Sequence, residues 1–407
     1  MSAPAPASDT AAHAVALPGS DRAMPVGVYV HWPFCEKKCP YCDFNSHVRP
    51  EVDHDRWRRA LVREIRETAA LYPRLTTRSV FFGGGTPSLM DPHTTAAVLT
   101  EINRAWPMEQ NAEITLEANP SSVEAGRFRA FADAGVNRLS VGVQSFDDDA
   151  LRFLGRLHDS AAARRALDVA FNSVGRVSFD LITGRPDQSL SAWQAELDEA
   201  LAYGPDHISL YQLTIEPGTA FAAQHARGRF TMPDEDHAAA LFRATRDRLH
   251  AAGLPAYEVS NHARPDMESR HNLIYWTGGA HVGIGPGAHG RLPAHSGPGA
   301  LATATHKRPE RWLSQVEKSG LGLIETTPVP AQERLRETIM TGLRLTEGLS
   351  LDDLKARFGD KAVATALDSD GLALLRDQGF LQAVPDRLVA TEKGFLVLNG
   401  VIAAILA

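Results

Sequence analysis

Residues Val26 to Phe44 read VGVYVHWPFCEKKCPYCDF: an apolar, β-branched run to Trp32, then a loop carrying Cys35, Cys39 and Cys42 at the spacing CxxxCxxC. The run has strand character. Thiolates this close together can all point at one iron–sulfur cubane, which normally takes four cysteines. The chain holds 3 cysteines in all, so a 4Fe-4S cluster here would leave one iron without a protein ligand and open to an exogenous chelator. A Cys3His zinc site using His31 or His47 competes for the same thiols. Zinc sites more often use paired CxxC knuckles, and the absence of a second pair favours the cluster.

Outward from this loop the pattern repeats. Further strand-like runs span Ser79 to Phe82, Glu113 to Glu117, Arg138 to Val143, Val177 to Ile182 and His207 to Ile215. Between them lie helix-period stretches: Asp55 to Tyr72, Thr94 to Trp106, Ser122 to Ala134 and Ser160 to Asn172. Strand then helix, repeated, predicts an α/β fold of parallel strands with crossover helices. Polar residues follow nearly every strand, among them Cys35, Gly83 to Thr86, Glu117 and Gln144. In a barrel such strand ends share one face, where active sites form, so a partial barrel is expected rather than a doubly wound sheet.

Beyond Phe221 come a long helix, Asp234 to Ala252, and a Gly- and His-rich segment, Tyr257 to Gly290. From Pro330 the order is three helices, a hairpin (Leu381 to Ala390, turning at Pro385 and Asp386) and a last helix, which resembles a winged-helix unit. The expected organisation is a disordered tail over 1–24, a barrel over 25–221, its completion over 222–329 and a mostly helical, winged-helix-like domain over 330–407.

The formal charge of -7 and pI near 6.1 provide no basic field for a phosphate backbone, so nucleic acid is not an expected partner. Three clustered cysteines make a poor disulfide framework and fit a reducing, cytoplasmic setting. Met1 to Met24 is rich in Ala, Pro and Ser and lacks the pattern of a secretory signal. The apolar stretch Gly394 to Ala407 is short for a bilayer span and reads as a terminal helix.

Gly83, Gly84 and Gly85 after the second strand suit either a tight turn or a close approach of bare backbone to a ligand. Taken with CxxxCxxC, the run GGGTPS strongly resembles the radical S-adenosylmethionine (SAM) superfamily. The resemblance implies a partial (β/α)6 TIM-like barrel in which SAM chelates the open iron through its amino and carboxylate groups. It also implies that an electron from the cluster cleaves the sulfonium to a 5'-deoxyadenosyl radical. Carried over residue by residue, Gly84, Gly85 and Thr86 would contact the methionine end of SAM. Tyr29 would sit beneath the cluster, and Glu117 in LEANP would bind SAM's polar groups. Gln144 in VGVQSF, Arg156 in LGRLH and Asp180 in FDL would complete the set. Each also has an ordinary reading as a strand-end hydrogen bonder or a surface ion pair.

From Tyr29 to about Gly290 the chain is similar to the coproporphyrinogen III dehydrogenase group of that superfamily. Its true dehydrogenases carry a further cysteine, CxxxCxxCxC, where this chain has Phe44. CDFNSH and the run HNLIYW, His271 to Trp276, instead resemble the heme chaperone branch, the HemW family. That branch implies heme as ligand and heme-accepting apo-proteins as partners, with respiratory and membrane-associated ones as candidates. An imidazole can ligate heme iron and aromatic rings can line a macrocycle, so His271 is the expected ligand, with Tyr275 and Trp276 beside it. A capping histidine next to two core aromatics is the plainer reading, and His262, His281 and His289 are alternative ligands. The competing function is oxygen-independent coproporphyrinogen III dehydrogenase, a radical oxidative decarboxylation in heme biosynthesis. The loop ITGRPDQ departs from the YGLPGQ common in relatives, and Arg185 and Asp187 would add charge near the mouth.

Overall fold

A computed structural model of the chain describes residues 23–294 and 296–406, and only the backbone of residues 122 and 123. Of the expected tail, residues 1–22 lie outside the described residues, and Met24 already pairs with Leu75 in the sheet.

The six strand-like runs form β1 (Met24–Trp32), β2 (Leu75–Gly84), β3 (Met108–Ala118), β4 (Arg138–Gln144), β5 (Arg176–Thr183) and β6 (His207–Gln212). They lie parallel and adjacent in chain order. The helices between them include α1 (His54–Leu71), α2 (Pro92–Ala105), α3 (Phe128–Asp133), α4 (Ser160–Ser173) and α5 (Leu190–Ala202). Each crossover helix except α3 starts at an Asp or Ser whose side chain accepts a backbone N–H of the first turn. The expected α/β partial barrel is therefore the observed architecture.

Two expected boundaries are corrected. The single helix over Ser122 to Ala134 is two pieces, Ser122–Ala125 and Phe128–Asp133, because Glu124 turns its carboxylate back to Ser88, Ser121 and the Asn119 N–H. The sixth strand ends at Gln212 rather than Ile215.

The sheet continues on both sides. A short β7 (Asn261–Ala263) pairs antiparallel with β6, and β8 (Ala280–Ile284) pairs parallel with β1. Antiparallel β9 (His289–Pro293), β10 (Ala300–Thr305) and β11 (Leu323–Val329) complete an 11-stranded sheet.

Alternation along the strands separates two environments. One phase, including Val28 and Val30, Val80 and Phe82, Leu139 and Val141, packs with the helices in the main apolar core. The other phase is largely polar: Glu113, Thr115 and Glu117 on β3, Arg138 and Ser140 on β4, Ser178 and Asp180 on β5, His207 and Ser209 on β6. This second phase faces the barrel interior.

Distant segments are tied to α1 by Glu64. It is 2% exposed and accepts N–H groups of Gly285 at 2.8 Å, Gly322 at 2.9 Å and the Trp312 indole at 3.0 Å. Burial pushes its carboxyl up to about 7.

The remaining helices that bear on the site are α6 (Glu235–Ala251), α7 (Arg270–Trp276), α8 (Pro309–Ser319) and α9 (Ala331–Gly342). Residues from Leu335 to Ile405 build a second, separate apolar core, mostly helical. There the expected hairpin is reduced to a bridge between Leu381 and Ala390, while Arg387–Leu388 pairs with Leu349–Ser350. The terminal apolar stretch forms two helices, Glu392–Leu396 and Leu398–Ile405. Among the described residues no helix is long and apolar enough to cross a membrane.

Candidate functional site

The cysteine loop is pinned where Phe34–Cys35 pairs with His47–Val48, directly after β1. Inside it the Cys42 N–H donates to the Cys39 carbonyl at 3.1 Å. The Cys35 sulfur accepts the Thr86 hydroxyl at 3.4 Å, and the Cys39 sulfur accepts the Arg156 guanidinium at 3.5 Å. Burial pushes the Cys35 thiol up to about 11 and raises that of Cys42, and the neighbouring cysteines add to both shifts. Bound metal would reverse this, since a coordinating thiol is deprotonated outright.

The donor set fits a cluster better than zinc. His31 is bonded through Nδ1 to the Tyr29 hydroxyl at 3.1 Å and through Nε2 to the Asn45 carbonyl at 2.9 Å. His47 Nε2 meets the Asn45 side chain at 3.2 Å. Among the described residues no three His, Cys, Asp or Glu side chains converge on a point that one metal ion could occupy. A single zinc needs every ligand within about 2.3 Å of one centre, whereas the cysteines of a cubane hold different irons.

The triple glycine is demanded first by the protein itself. Gly84 has φ 115°, and a Cβ there would lie 2.6 Å from the His31 ring; one on Gly85 would lie 2.7 Å from the Phe34 carbonyl oxygen. The turn can thus lie against β1, with Gly85 N–H on the Trp32 carbonyl at 2.7 Å and Thr86 N–H on that of Phe34 at 2.8 Å. Gly84 N–H donates to Glu117 at 3.3 Å.

Arg156 braces the loop. Besides Cys39 it donates to the Asn119 side chain at 2.5 Å and the Gly142 carbonyl at 3.0 Å, and Asn119 in turn donates to the Thr86 hydroxyl at 3.1 Å. Gln144 ends β4 with φ 70°, unusual for a residue with a side chain, and its buried Oε1 has no protein partner. A strained residue with an unsatisfied acceptor at a strand end is the kind of feature that ligand sites retain.

Below the glycine turn, the barrel encloses a cavity of about 200 Å³. Tyr29, Glu117, Asp180 and His271 all line it. Burial raises Glu117 to about 8, with Asp180's charge adding, and burial raises Asp180 to about 6. Tyr29, Phe81, His271 and Tyr275 form an aromatic wall, with Phe81 stacked on His271 at 5.0 Å.

His271 closes the floor. It sits on α7, whose N-cap Ser269 accepts the Asn272 N–H at 3.3 Å, at the level where Gly27, Ser79 and Glu113 align across β1 to β3. From Gly27 to the end of β1 at Trp32, where the cysteine loop begins, the strand rises roughly 17 Å at about 3.3 Å per residue. His271 is 2% exposed; Nδ1 meets the Ser79 hydroxyl at 2.8 Å and Nε2 the Tyr275 hydroxyl at 3.0 Å. Burial lowers its pKa to about 3, so it is neutral.

The structure thus divides the expected residues between two levels. Cys35, Cys39, Cys42, Gly84, Gly85, Thr86, Gln144 and Arg156 lie at the upper mouth, and His271 lies at the floor. Trp276 does not line the cavity; the Arg344 guanidinium covers its ring at 5.1 Å beside the C-terminal unit. His262 is buried outside the barrel phase, His281 meets Tyr275 edge-on with ring centroids 4.5 Å apart, and His289 is exposed. The charge expected at the mouth from Arg185 is absent, because Arg185 is buried in an ion pair with Glu196. Asp187 lines a different cavity with His237. Sequence reading passed over Arg138, Ser140, His207 and Ser209 in the cavity wall, although period-two alternation with Gln144, Asp180 and Tyr211 was a usable signal.

The Radical SAM superfamily is matched over residues 29–200 and the HemN C-terminal domain over residues 329–397. The chain is 40% identical to radical S-adenosyl methionine domain-containing protein 1, mitochondrial, of Bos taurus, covering 99% of this chain and 91% of that protein. It is 38% identical to the heme chaperone HemW of Escherichia coli (strain K12), covering 94% of this chain and 98% of that one. Among solved structures, the coproporphyrinogen III oxidase HemN of Escherichia coli, a radical SAM enzyme, shares the fold with a TM-score of 0.79 at 22% identity, covering 94% of this chain and 90% of that one. With such identity running through barrel and C-terminal unit alike, the chain belongs to the radical SAM superfamily, in the family of the heme chaperone HemW.

Proposed function

We propose that the protein is a heme chaperone: it binds heme and passes it to apo-proteins, while Cys35, Cys39 and Cys42 carry a 4Fe-4S cluster whose fourth iron takes SAM. When bound, cluster and SAM would supply an electron and a cleavable sulfonium. The chain's own part is to hold and insulate them. Arg156 and Thr86 donate to the cysteine sulfurs, Gly84, Gly85 and Thr86 offer backbone at the mouth, and Gln144 contributes a free acceptor. Glu117 and Asp180 are placed to accept from the cofactor's polar groups, with Tyr29 beneath.

The observation that carries the chaperone reading is α7. The HNLIYW run that marks this branch builds the cavity floor, with its histidine and tyrosine turned inward. For His271 to ligate heme iron, Nε2 must exchange the Tyr275 hydroxyl for the metal, while the Ser79 bond at Nδ1 fixes the ring. A cavity of about 200 Å³ is smaller than the roughly 300–1,000 Å³ of pockets that bury a drug-sized ligand, so a porphyrin reaches His271 only if α7 shifts. Against dehydrogenase activity stands Phe44, 61% exposed beside the cysteine loop, in place of the further cysteine.

The acceptors we envisage include respiratory and membrane-associated apo-proteins, and no nucleic acid. A cytoplasmic, reducing setting is part of this reading, and the three free thiols are consistent with it. The test is anaerobic purification, cluster reconstitution, and parallel assays of heme binding and of coproporphyrinogen III conversion with SAM and a reductant. Stoichiometric heme binding without turnover is expected; protoporphyrinogen formation would replace this reading with the dehydrogenase one.

A further inference from the structure

Among the described residues three arginines are fully buried: Arg138, Arg185 and Arg334. Arg185 is ion-paired with Glu196, and Arg334 with Glu337 at 2.8 Å. Arg138, 3% exposed at the start of β4, has no carboxylate within 4.0 Å. Its guanidinium donates only to hydroxyls, Ser178 at 2.8 Å and Thr115 at 3.4 Å, and it faces the barrel cavity. A buried, permanently charged group without a close partner is costly, and a guanidinium presents a planar fork matched to a carboxylate. Glu117 and Asp180 share the cavity, but both lie beyond ion-pair reach of Arg138 and are needed by the cofactor in the function proposed above. Beside Arg138, His207 is 2% exposed and its Nδ1 has no partner, although its Nε2 is bonded to the Tyr257 hydroxyl at 2.9 Å.

We propose that Arg138 anchors a carboxylate of a ligand held in the barrel chamber beneath the cysteine loop, with His207 at its side. At about 200 Å³ the chamber admits a carboxylate-bearing arm as it stands, and a whole macrocycle only with the shift of α7 described above. Two sources share this chemistry, the carboxylate of a SAM that enters the chamber with that group free of the iron, and a propionate of a porphyrin. The second rests on the heme reading above.

The test uses the full-length, cluster-reconstituted protein and its Arg138→Gln and Arg138→Lys variants. SAM affinity is measured by equilibrium dialysis, and heme is titrated against heme dimethyl ester, which lacks free carboxylates. If the anchor holds a propionate, wild type prefers heme to the ester by about ten-fold or more, the scale of a charge-assisted hydrogen-bond pair. Arg138→Gln then abolishes that preference, Arg138→Lys keeps part of it, and SAM affinity stays put. If the anchor holds SAM, Arg138→Gln weakens SAM by a similar factor and leaves the heme preference intact. Unchanged SAM affinity together with an unchanged preference overturns the inference. A wild type that binds no heme defeats the chaperone reading instead, and the SAM arm alone then decides. Thermal melts of the ligand-free variants separate a structural role: Arg138→Lys, which keeps the charge beside Glu117 and Asp180, should melt close to wild type, whereas a large drop in both variants would assign Arg138 to the fold and contradict the anchor.

Discussion

Replacing Glu64 by glutamine should destabilise the protein at pH 5 and do so no longer at pH 8.5. In the folded state burial raises this carboxyl from 4.5 to about 7. A raised carboxyl contributes stability that is fully present below the unfolded pKa and is lost as the pH climbs through the folded one. At roughly 1.4 kcal/mol per pH unit, wild type gives up roughly 3 kcal/mol between pH 4.5 and 8 through this group. Glutamine does not titrate. Its carbonyl oxygen can still accept from Gly322 and Trp312, but its amide then meets the Gly285 N–H, donor against donor. One unsatisfied buried donor costs about 1–3 kcal/mol. The variant should therefore lag by that amount at pH 5, and because most of the wild-type loss falls between pH 4.5 and 7, a lag of about 1–2.5 kcal/mol should be closed between about pH 6 and 8. Urea unfolding of the cluster-free protein across this range, with the difference between variant and wild type plotted against pH, measures it. A difference that stays constant with pH would refute the reasoning.

Four further outcomes follow from the site. Gly84→Ala forces a Cβ into the His31 ring at an unfavourable φ, costing about 1–3 kcal/mol, and should lower the iron retained on reconstitution; full retention would show the turn has room. Arg156→Met removes the guanidinium from the Cys39 sulfur and should shift the cluster potential downward, since a nearby cation favours the reduced state; an unmoved potential in a redox titration sinks this. Glu117→Gln should weaken SAM binding and flatten its pH dependence, which in wild type rises through about pH 8 as the carboxyl ionises toward a cationic ligand; a flat wild-type profile would exclude that contact. His271→Ala should weaken heme binding and change the heme absorption band while leaving SAM affinity intact, and an identical titration and spectrum would remove His271 as ligand.

Much of the frame was legible because it depends on local periodicity. Val26 to Trp32 and Arg138 to Val143 alternate cleanly between helix-facing and interior residues, and α1, α2, α4 and α5 carry Asp or Ser caps. The cysteine loop was equally plain, since its three thiols are close in sequence. What escaped depends on contacts across long separations. Glu64 meets Gly285 and Gly322 from another part of the chain, and Arg185 is neutralised by Glu196 on the next helix. The polar interior phase was read as strand-end residues, so Arg138 and His207 were missed. HNLIYW pointed to His271, but nothing in that run says that its helix lies at the barrel floor, far from the cysteines. The glycines illustrate a third case: a ligand-binding reading and a packing reading predict the same residues, and only the His31 and Phe34 approaches show that packing already requires them.

The central claim is best tested by electron paramagnetic resonance of the anaerobically reconstituted, reduced protein with and without SAM, beside a metal count. Three cysteine ligands and one open iron predict about four irons per chain and a cubane signal that changes shape when SAM is added. A colourless protein with stoichiometric zinc, or a cluster signal indifferent to saturating SAM, would contradict it.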